Sequence, residues 1–476
     1  MEAGQSGSGM PNAGIFRGRP AGEVAVIGLG KSGRSVATLL ARDGHRVYAS
    51  DAGASDAARA SAEALGALGV SVDVGRHDLE RIERAALVVA SPGVPPEAPP
   101  LAAAARAGVP VVGEIEVALH YLPNLKYIAV TGTNGKTTTT ALVGHLLRAL
   151  GHDAVDAGNI GLPLAEVALA EKRPDWVALE LSSFQLHDTP SVNPTVGVLT
   201  NLSPDHLDRY SDVDAYYADK ARLFANAHAG SKWVVNADDA AVVEMASAVA
   251  GKRWTFSVRE GGSRSVRHPD AYYDHSGGSL CYHHDRILPR AELPLMGDHN
   301  VANALAAVLA VVAAGEGHRN SEAWERLRDG LRSFQALKHR MEPVGEFGGV
   351  LWINDSKATN VSSTLVAVEG MTRPYVLLLG GRHKGEPYTA LAEPFKRKGK
   401  VVLAYGESAA IVEQDLGGLV PVERLGSSFE AVMRRARELS GPGDAVLLSP
   451  ACSSFDMFKN YEERGAEFRR LAAQQR

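Results

Sequence analysis

Residues 131–138 read Thr-Gly-Thr-Asn-Gly-Lys-Thr-Thr, which is the most specific chemical pattern in the chain. They follow an apolar, β-branched run and open a predicted helix, so backbone N–H groups and the helix N-terminus can face an anion. Lys136 could then reach the β- and γ-phosphates of a nucleotide, and the Thr137 hydroxyl could bind Mg²⁺. Val130 stands where the strict motif has its first glycine. The pattern predicts a nucleoside triphosphate site, with a strand-to-helix turn that binds nothing as the alternative.

A second glycine-rich loop lies near the N-terminus, where Gly28, Gly30 and Gly33 follow an apolar run. Asp51 ends the next predicted strand, close to the offset at which dinucleotide-binding folds carry an acid. The spacing indicates a second nucleotide site and does not say which nucleotide it takes. A nicotinamide coenzyme would need a hydride-transfer site that no other motif supplies. A tight turn without a ligand is the remaining alternative.

Two further groups follow predicted strands of the same block as the phosphate loop. Glu180 closes the apolar run 176–179, and Asp205-His206 follows the strand predicted at 195–200. The carboxyl ends of parallel strands border the ligand crevice of such sheets. Glu180 is therefore a candidate Mg²⁺ ligand, or a buried acid paired with a cation. His206 is a candidate metal or substrate ligand, or a structural histidine.

Lys220 is unusual because it shares one face of the helix predicted at 213–227 with Tyr216, Leu223 and Phe224. A lysine at the edge of an apolar stripe usually extends its ammonium to solvent. A desolvated lysine instead has a depressed pKa and is a nucleophilic amine. The pattern by itself favours the solvated form and leaves the desolvated form open.

Three polar segments follow predicted strands in the last part of the chain, at 354–360, 380–385 and 449–455. Each alone is typical of a solvated loop, but together at one edge of a sheet they predict a ligand site. Cys452 lies in the last segment and has no evident partner for nucleophilic catalysis, so we interpret it as a small buried residue.

Alternating strands and helices are needed to position these groups, and they predict an α/β fold with three domains. We expect a disordered Gly/Ser-rich leader at 1–21, a Rossmann-like domain at 22–114, a central P-loop mononucleotide-binding domain at 115–335 and a Rossmann-like C-terminal domain at 336–476. Residues 259–295 are interpreted as strand-and-loop decoration. The predicted strands are 24–27, 45–51, 87–90, 109–112, 127–130, 176–181, 195–200, 232–236, 350–353, 375–379, 400–404 and 445–448.

The composition excludes several classes of protein. The 476 residues carry 50 Lys and Arg against 55 Asp and Glu, a net charge of −5, which gives no support for a nucleic-acid or membrane-surface partner. Only two cysteines occur, so a disulfide framework and a cysteine metal centre are excluded. No apolar run is long enough to cross a bilayer. We expect a cytoplasmic, monomeric enzyme.

The loop at 132–137 resembles the phosphate loop of the Mur ligase superfamily, which also includes the folylpolyglutamate synthases. Three further stretches, 179–186, 354–360 and 449–465, are similar to the D-glutamate-adding branch, the last containing Phe-Lys-Asn-Tyr-Glu-Glu-Arg-Gly. The resemblance covers nearly the whole chain from about residue 22. It implies an ATP- and Mg²⁺-dependent ligase that adds D-glutamate to UDP-N-acetylmuramoyl-L-alanine through an acyl phosphate, in peptidoglycan precursor synthesis.

The resemblance also implies roles for individual residues. Lys136, Glu180, His206 and Lys220 would be catalytic; the last three and Thr137 would be the metal ligands, and Lys220 would carry a carbamate. ATP would be bound by Gly132, Thr133, Asn134, Gly135, Lys136, Thr137, Thr138, Asn300, Arg340, Asp355 and Lys357. The UDP-substrate would be bound by Ser32, Gly33, Asp51, Ser91, Gly93 and Asn159. D-glutamate would contact Thr359, Lys384, Ser454 and Tyr461, with Phe455 as a further substrate contact. Tyr461 stands where some family members have Phe.

Three alternative functions stay open at this point. The first is a sister ligase that adds L-glutamate or another amino acid; the residues around Lys384 and Ser454 favour glutamate but do not decide its chirality. The second is a nicotinamide dehydrogenase, which would rest on the loop at 28–33. The third is a P-loop regulator without catalytic activity.

Overall fold

The computed structural model describes residues 22–206, 209–260 and 268–474, and the predicted leader at 1–21 lies outside the described residues. Three sheets of five, nine and six strands follow one another along the chain. This arrangement confirms the predicted α/β class. Within the described part of the chain, no helix is both long and apolar enough to span a bilayer.

The first sheet is parallel throughout and contains five strands. Its elements and the helices around them are β1 (Val24–Ile27), α1 (Lys31–Arg42), β2 (Val47–Asp51), α2 (Asp56–Gly66), β3 (Ser71–Val74), α3 (Leu79–Glu83), β4 (Leu87–Ala90), α4 (Pro99–Ala107), β5 (Val111–Gly113) and α5 (Glu114–Tyr121). The strand order is β3-β2-β1-β4-β5. Because the order reverses between β1 and β4, the loops after these two buried strands face one crevice.

The second sheet has nine strands and carries the phosphate loop. Its elements are β6 (Tyr127–Thr131), α6 (Lys136–Ala149), β7 (Ala154–Gly158), α7 (Leu164–Leu169), β8 (Trp176–Glu180), α8 (Ser183–His187), β9 (Val196–Leu199), α9 (Val213–Ala221), β10 (Lys232–Asn236), α10 (Ala240–Ala246), β11 (Lys252–Ser257), β12 (Ala271–Asp274), β13 (Ser279–Tyr282), β14 (Asp285–Pro289), α11 (Asp298–Ala314) and α12 (Ser321–Ser333). The strand order is β14-β13-β12-β11-β10-β9-β6-β8-β7.

Strand β6 lies between β8 and β9, so the segments after all three strands meet at one sheet edge. The sheet is parallel from β7 to β12, and β12, β13 and β14 pair antiparallel. The region interpreted as decoration thus extends the main sheet, although residues 261–267 lie outside the described part. Helix α11 is almost fully buried because its Ala, Val and Leu side chains pack against the sheet and α6.

The third sheet contains six strands, of which only β15 runs antiparallel to its neighbour. Its elements are β15 (Glu342–Phe347), β16 (Val350–Asn354), α13 (Val361–Glu369), β17 (Tyr375–Gly380), α14 (Ala392–Lys396), β18 (Gly399–Tyr405), α15 (Ala409–Leu416), β19 (Val422–Arg424), α16 (Phe429–Leu439), β20 (Ala445–Leu448) and α17 (Tyr461–Ala473). The strand order is β15-β16-β20-β17-β18-β19. The three predicted polar segments follow β16, β17 and β20, which are adjacent.

Some predicted elements need correction. Strands β3, β7, β11, β15 and β19 were not predicted, since they are short or only partly buried and lack a strong apolar run. The helix predicted at 213–227 ends at Ala221 and continues as a 3₁₀ turn, Arg222–Phe224. Gly151 takes a left-handed conformation after α6, with φ +93°, and its N–H donates to Arg148 O.

Candidate active site

The phosphate loop between β6 and α6 has a shape that requires glycine at two positions. Gly132 and Gly135 have φ of +143° and +82°. A Cβ on Gly132 would lie 2.0 Å from Thr200 Oγ1, and one on Gly135 would lie 2.3 Å from Asn303 Oδ1. No described side chain caps α6 at Gly135. The first N–H groups of this helix can therefore bind an anion.

Polar groups that follow β9 hold the loop in place. Thr200 Oγ1 donates to Asn134 O at 2.7 Å, and Asn201 Oδ1 accepts from the Asn134 N–H at 2.8 Å. Thr133 Oγ1 donates to Ser203 O at 3.0 Å. Sequence reasoning did not single out Thr200 or Asn201. Their position directly after a predicted strand of the same sheet was the available signal.

Two lysines converge on one carbonyl of the loop. Lys136 Nζ donates to Gly132 O at 3.0 Å and to Thr133 O at 2.7 Å, and Lys220 Nζ donates to Gly132 O at 2.6 Å. Burial, and then the charge of Lys136, hold the pKa of Lys220 well below its ordinary value. The favoured solvated interpretation of Lys220 was wrong: α9 packs its side chain inward to 1% exposure, with Nζ 4.7 Å from the Tyr216 ring centroid.

Glu180 ends β8 with a carboxylate that is 1% exposed. Its Oε1 accepts from Asn159 Nδ2 at 2.7 Å. Its Oε2 is buried without a hydrogen-bond partner among the described residues. A buried carboxylate oxygen in this state is costly unless a cation approaches it. The local arrangement therefore fits a metal ligand.

The other predicted metal ligands are arranged less simply. Thr137 Oγ1 accepts from Arg340 Nη2 at 2.6 Å. His206 Nε2 lies 3.7 Å from Asp205 Oδ2, on a residue held at φ +57°. No three His, Cys, Asp or Glu side chains in the described ranges are grouped so that they could hold a metal. Mg²⁺ often takes one or two carboxylates together with substrate phosphates, so this donor set fits a metal that binds with a nucleotide.

A cavity of about 910 Å³ opens between the second sheet and the third. Such a volume suits a nucleotide-sized ligand, since small-molecule pockets are about 300–1,000 Å³. Seven predicted ATP contacts line this cavity: Asn134, Gly135, Thr138, Asn300, Arg340, Asp355 and Lys357. The structure therefore brings residues that are far apart in sequence, such as Asn134 and Lys357, to one cavity.

Asp355 and Lys357 in this cavity have shifted pKa values. Burial raises the pKa of Asp355 to about 7, although its carboxylate accepts from Ser449 Oγ at 2.8 Å. Burial and the nearby Arg340 lower the pKa of Lys357 to about 8. Lys357 Nζ lies 5.1 Å from the Tyr461 ring centroid. Arg290, Arg340 and Lys357 line the same cavity and can bind the phosphates of a nucleotide.

The predicted UDP-binding residues of the first domain cluster around one loop. A Cβ on Gly33 would lie 1.8 Å from Gly28 O. The first turn of α1 can therefore pack against the loop only with glycine at this position. Ser91 Oγ donates to Gly28 O at 3.3 Å. The Asp51 carboxylate accepts from the Leu29 N–H at 2.7 Å, which shows that it organises the loop itself.

The remaining predicted substrate contacts of this set are spread over two domains. Ser32 is half-buried in the first turn of α1, and Gly93 is exposed after β4. Asn159 instead lies in the second domain, where its N–H donates to Glu180 O at 3.0 Å. A ligand that contacts all of them would have to span both domains.

The predicted acceptor residues lie where the loops after β16, β17 and β20 meet. Lys384 Nζ donates to Thr359 Oγ1 at 3.4 Å, and the Arg382 N–H donates to Ser453 O at 2.9 Å. Ser454 is buried, whereas Phe455 is 62% exposed. Tyr461 begins α17 beside the cavity residue Lys357.

Cys452 agrees with its interpretation as a buried residue. It is 0% exposed, and burial raises the pKa of its thiol. Its Sγ lies 2.9 Å from Tyr388 OH and 3.4 Å from Ser408 Oγ.

Hydrogen bonds between side chains join the third domain to the phosphate loop, and sequence reasoning missed them. Asn134 Nδ2 donates to Ser362 Oγ at 2.9 Å, and Ser363 Oγ donates to Asn134 Oδ1 at 2.7 Å. Asn360 Nδ2 donates to Asp205 Oδ2 at 2.8 Å. The partners are more than 150 positions apart, so no local pattern could pair them.

Comparison with known domain families gives three matches in chain order. The Mur ligase MurD-like N-terminal domain matches residues 22–113, the Mur ligase middle domain residues 130–311, and the Mur ligase glutamate ligase domain residues 339–452. Together they cover most of the chain. The chain belongs to the Mur ligase family. Mur ligases are ATP-dependent enzymes that form amide bonds, so this chain is a ligase.

Curated Mur ligases are similar over nearly the full length. The UDP-N-acetylmuramoylalanine–D-glutamate ligase of Anaeromyxobacter dehalogenans is 44% identical over 465 residues, which cover 95% of this chain and 97% of that protein. The enzyme of the same name from Salinibacter ruber is 42% identical over 460 residues, covering 94% and 96%. The predicted family resemblance is confirmed.

Solved Mur ligase structures share the fold. UDP-N-acetylmuramate–alanine ligase MurC from Thermotoga maritima superposes with a TM-score of 0.60 at 18% identity, covering 95% of this chain and all of that one. A pseudomurein peptide ligase type C from Methanothermus fervidus gives 0.56 at 20% identity, covering 90% and 96%. At these identities the likeness supports the three-domain fold alone.

Proposed function

We propose that this Mur ligase uses ATP to join D-glutamate to UDP-N-acetylmuramoyl-L-alanine in peptidoglycan precursor synthesis. One observation carries the proposal most directly: residues of the phosphate loop line a nucleotide-sized cavity between the second and third domains. The Glu180 oxygen that has no hydrogen-bond partner among the described residues belongs to a carboxylate whose charge acts on Arg340 and Lys357 of that cavity. The names of the full-length relatives support the choice of substrates. We further propose a cytoplasmic monomer with domain boundaries near 114 and 335.

In the first step, an oxygen of the substrate carboxylate bonds to the γ-phosphorus of ATP, and the bond from that phosphorus to ADP breaks. Both reactants are anions, so the protein has to align them and screen their repulsion. Lys136 and the N–H groups that start α6 would do this at the phosphates. Thr137, Glu180 and His206 would hold Mg²⁺, which supplies charge neutralisation at the phosphates when bound.

In the second step, the amine nitrogen of D-glutamate bonds to the acyl carbon and loses a proton, and phosphate leaves. Lys384, Thr359, Ser454 and Tyr461 would orient the acceptor, with its two carboxylates facing the lysine. Asn300, Arg340, Asp355 and Lys357 would hold ADP during this step. Exclusion of water by the third domain would protect the acyl phosphate.

Lys220 would carry a carbamate group on its side-chain nitrogen. Its nitrogen would bond to the carbon of CO₂ and release a proton, which turns a buried cation into an anion beside Glu180. The low pKa of this lysine supports the step, since only the neutral amine is nucleophilic. Intact-protein mass spectrometry in bicarbonate should show one added CO₂ that Lys220→Ala lacks.

Phosphate release with UDP-N-acetylmuramoyl-L-alanine and ATP, measured with D- or L-glutamate, tests the proposed function. We expect release that requires the D-isomer. Release that requires L-glutamate or another amino acid would identify a sister ligase. NADH binding without phosphate release would favour a dehydrogenase, and nucleotide binding without turnover would favour a regulator.

A further inference from the structure

Arg209 contacts two domains that are predicted to bind different substrates. Its guanidinium carbon lies 4.2 Å from the ring centroid of Phe184, which lies in α8 of the second domain. Its Nη2 donates to Val94 O at 3.5 Å in the first domain. The side chain therefore spans the boundary between the UDP and ATP regions.

Val94 packs directly against the glycine loop of the first domain. A Cβ on Gly28 would lie 3.4 Å from Val94 Cγ2 and 2.9 Å from Ser91 Oγ. The same loop opens α1, and no described side chain caps that helix at Gly30. The N–H groups that suit a diphosphate thus lie beside the loop that Arg209 reaches.

The guanidinium of Arg209 contacts an aromatic ring and a carbonyl among the described residues. The carbonyl lies at the long end of hydrogen-bond distance, and neither of these two contacts is an acid. The Phe184 ring also stacks on Tyr210, with centroids 5.4 Å apart and planes at 11°. This packing orients a planar fork of five N–H donors that matches phosphate geometry.

We propose that Arg209 binds the diphosphate of the UDP-substrate from across the domain boundary. The proposal rests on the proposed function, because it assumes a uridine diphosphate sugar in the first domain. The start of α1 would contact the diphosphate from one side and Arg209 from the other. Binding of this substrate would then draw the first domain towards the second and bring the reacting carboxylate towards ATP.

Calorimetric titration with UDP and with uridine tests the proposal on Arg209→Ala and Arg209→Lys. The matched control is Arg326→Ala, an arginine on α12 that pairs with Glu322 on the same helix. We expect Arg209→Ala to weaken UDP binding about ten- to hundred-fold, the effect of one charge-assisted hydrogen bond. Arg209→Lys should fall between this variant and the wild type, because lysine keeps the charge without the fork. Uridine binding and the control should not change.

Steady-state kinetics give a second readout. The KM for the UDP-substrate should rise by a similar factor in Arg209→Ala, while the KM values for ATP and D-glutamate stay within about two-fold. An unchanged UDP affinity would overturn the proposal. Equal losses for UDP and uridine would also overturn it, since they would indicate a disturbed loop.

The same experiments separate this proposal from the proposed function. If the wild-type protein binds UDP through Arg209 but releases no phosphate with D-glutamate, only the proposed function fails. If D-glutamate-dependent release occurs and Arg209→Ala leaves the UDP-substrate KM unchanged, only the Arg209 proposal fails. A thermal melt checks that each variant is folded. If Arg209→Ala is unfolded, Arg209→Lys provides the test.

Discussion

At the scale of single residues, the site concentrates positive charge around one backbone carbonyl. Lys136 and Lys220 both donate to Gly132 O. Burial and then the charge of Lys136 lower the pKa of Lys220, while Asp205 and Glu180 raise it. Two buried ammonium groups in this position are costly to keep together. Conversion of one lysine to an anion would remove the repulsion and leave the other to face phosphate.

Lys136→Ala should abolish phosphate release, with a loss of at least about 100-fold in kcat, because a preorganised charge at the phosphates is lost. The affinity for the UDP-substrate should stay within a few-fold, since the site proposed for it lies mainly on another domain. Phosphate-release kinetics and calorimetry measure the two quantities. Lys172→Ala, an exposed lysine paired with Asp153, is the control. Loss of UDP-substrate binding in folded Lys136→Ala would contradict this division of roles.

Lys384→Ala should impair the use of D-glutamate above all. One charge-assisted hydrogen bond to a carboxylate is worth about 1.5–3 kcal/mol, which corresponds to roughly ten- to hundred-fold in kcat/KM for D-glutamate. Lys396→Ala, which removes a surface lysine paired with Glu393, is the matched control. Unaltered D-glutamate kinetics would show that the acceptor site is not in the third domain.

At the scale of elements, two buried acids of α5 form hydrogen bonds with residues of the second domain. Glu114 begins α5, and its Oε1 accepts from the Ala165 N–H at 2.5 Å. Glu116 Oε2 accepts from both the N–H and the hydroxyl of Ser191 at 3.0 and 2.7 Å. Burial raises the pKa of Glu114 to about 7. This helix therefore couples domain packing to protonation.

Glu114→Gln should change how stability depends on pH. The folded pKa of Glu114, about 7, lies above its ordinary value of 4.5, so the folded state binds the proton more tightly. Its contribution to stability is present below the unfolded pKa and is lost as pH rises through about 7. The amide variant should therefore gain stability relative to the wild type between about pH 5 and pH 8. Thermal melts across this range measure the difference.

The control for this prediction is Glu63→Gln, an exposed position on α2. A constant difference between Glu114→Gln and the wild type at every pH would show that Glu114 does not titrate in this range.

At the scale of the whole molecule, the third domain closes over the phosphate loop through polar contacts. Asn134 bonds to both Ser362 and Ser363, and Thr137 bonds to Arg340. The cavity lies between these contacts, so nucleotide binding and the position of the third domain are linked. If the three reactants bind on three domains, as proposed, such links would coordinate domain closure with nucleotide binding.

Ser363→Ala should raise the KM for ATP about two- to ten-fold, the scale of one neutral hydrogen bond. The affinity for the UDP-substrate should not change, because the Ser363 hydroxyl donates to Asn134 of the phosphate loop. Ser276→Ala, in an exposed turn where the hydroxyl bonds Asp274, controls for loss of a surface hydroxyl. An unchanged KM for ATP would show that this contact is not part of the nucleotide-bound arrangement.

The sequence by itself determined the chemistry at the ends of strands. Apolar runs bury strands, and glycine spacing permits turns such as those at Gly132 and Gly135, so local pattern placed the phosphate loop, Glu180 and the polar loops at sheet edges. Weakly patterned elements such as β15 were missed, because partly exposed edge strands carry no clear alternation.

Only the tertiary structure decided which distant groups meet. Lys220 reaches a carbonyl 88 positions away, and Arg340 reaches a hydroxyl 203 positions away. Arg209 meets Val94 across 115 positions. These contacts depend on strand order, on the inward packing of α9 and on the docking of whole domains. The free energy that stabilises these contacts comes from burial summed over many residues. It cannot be deduced from a local sequence pattern.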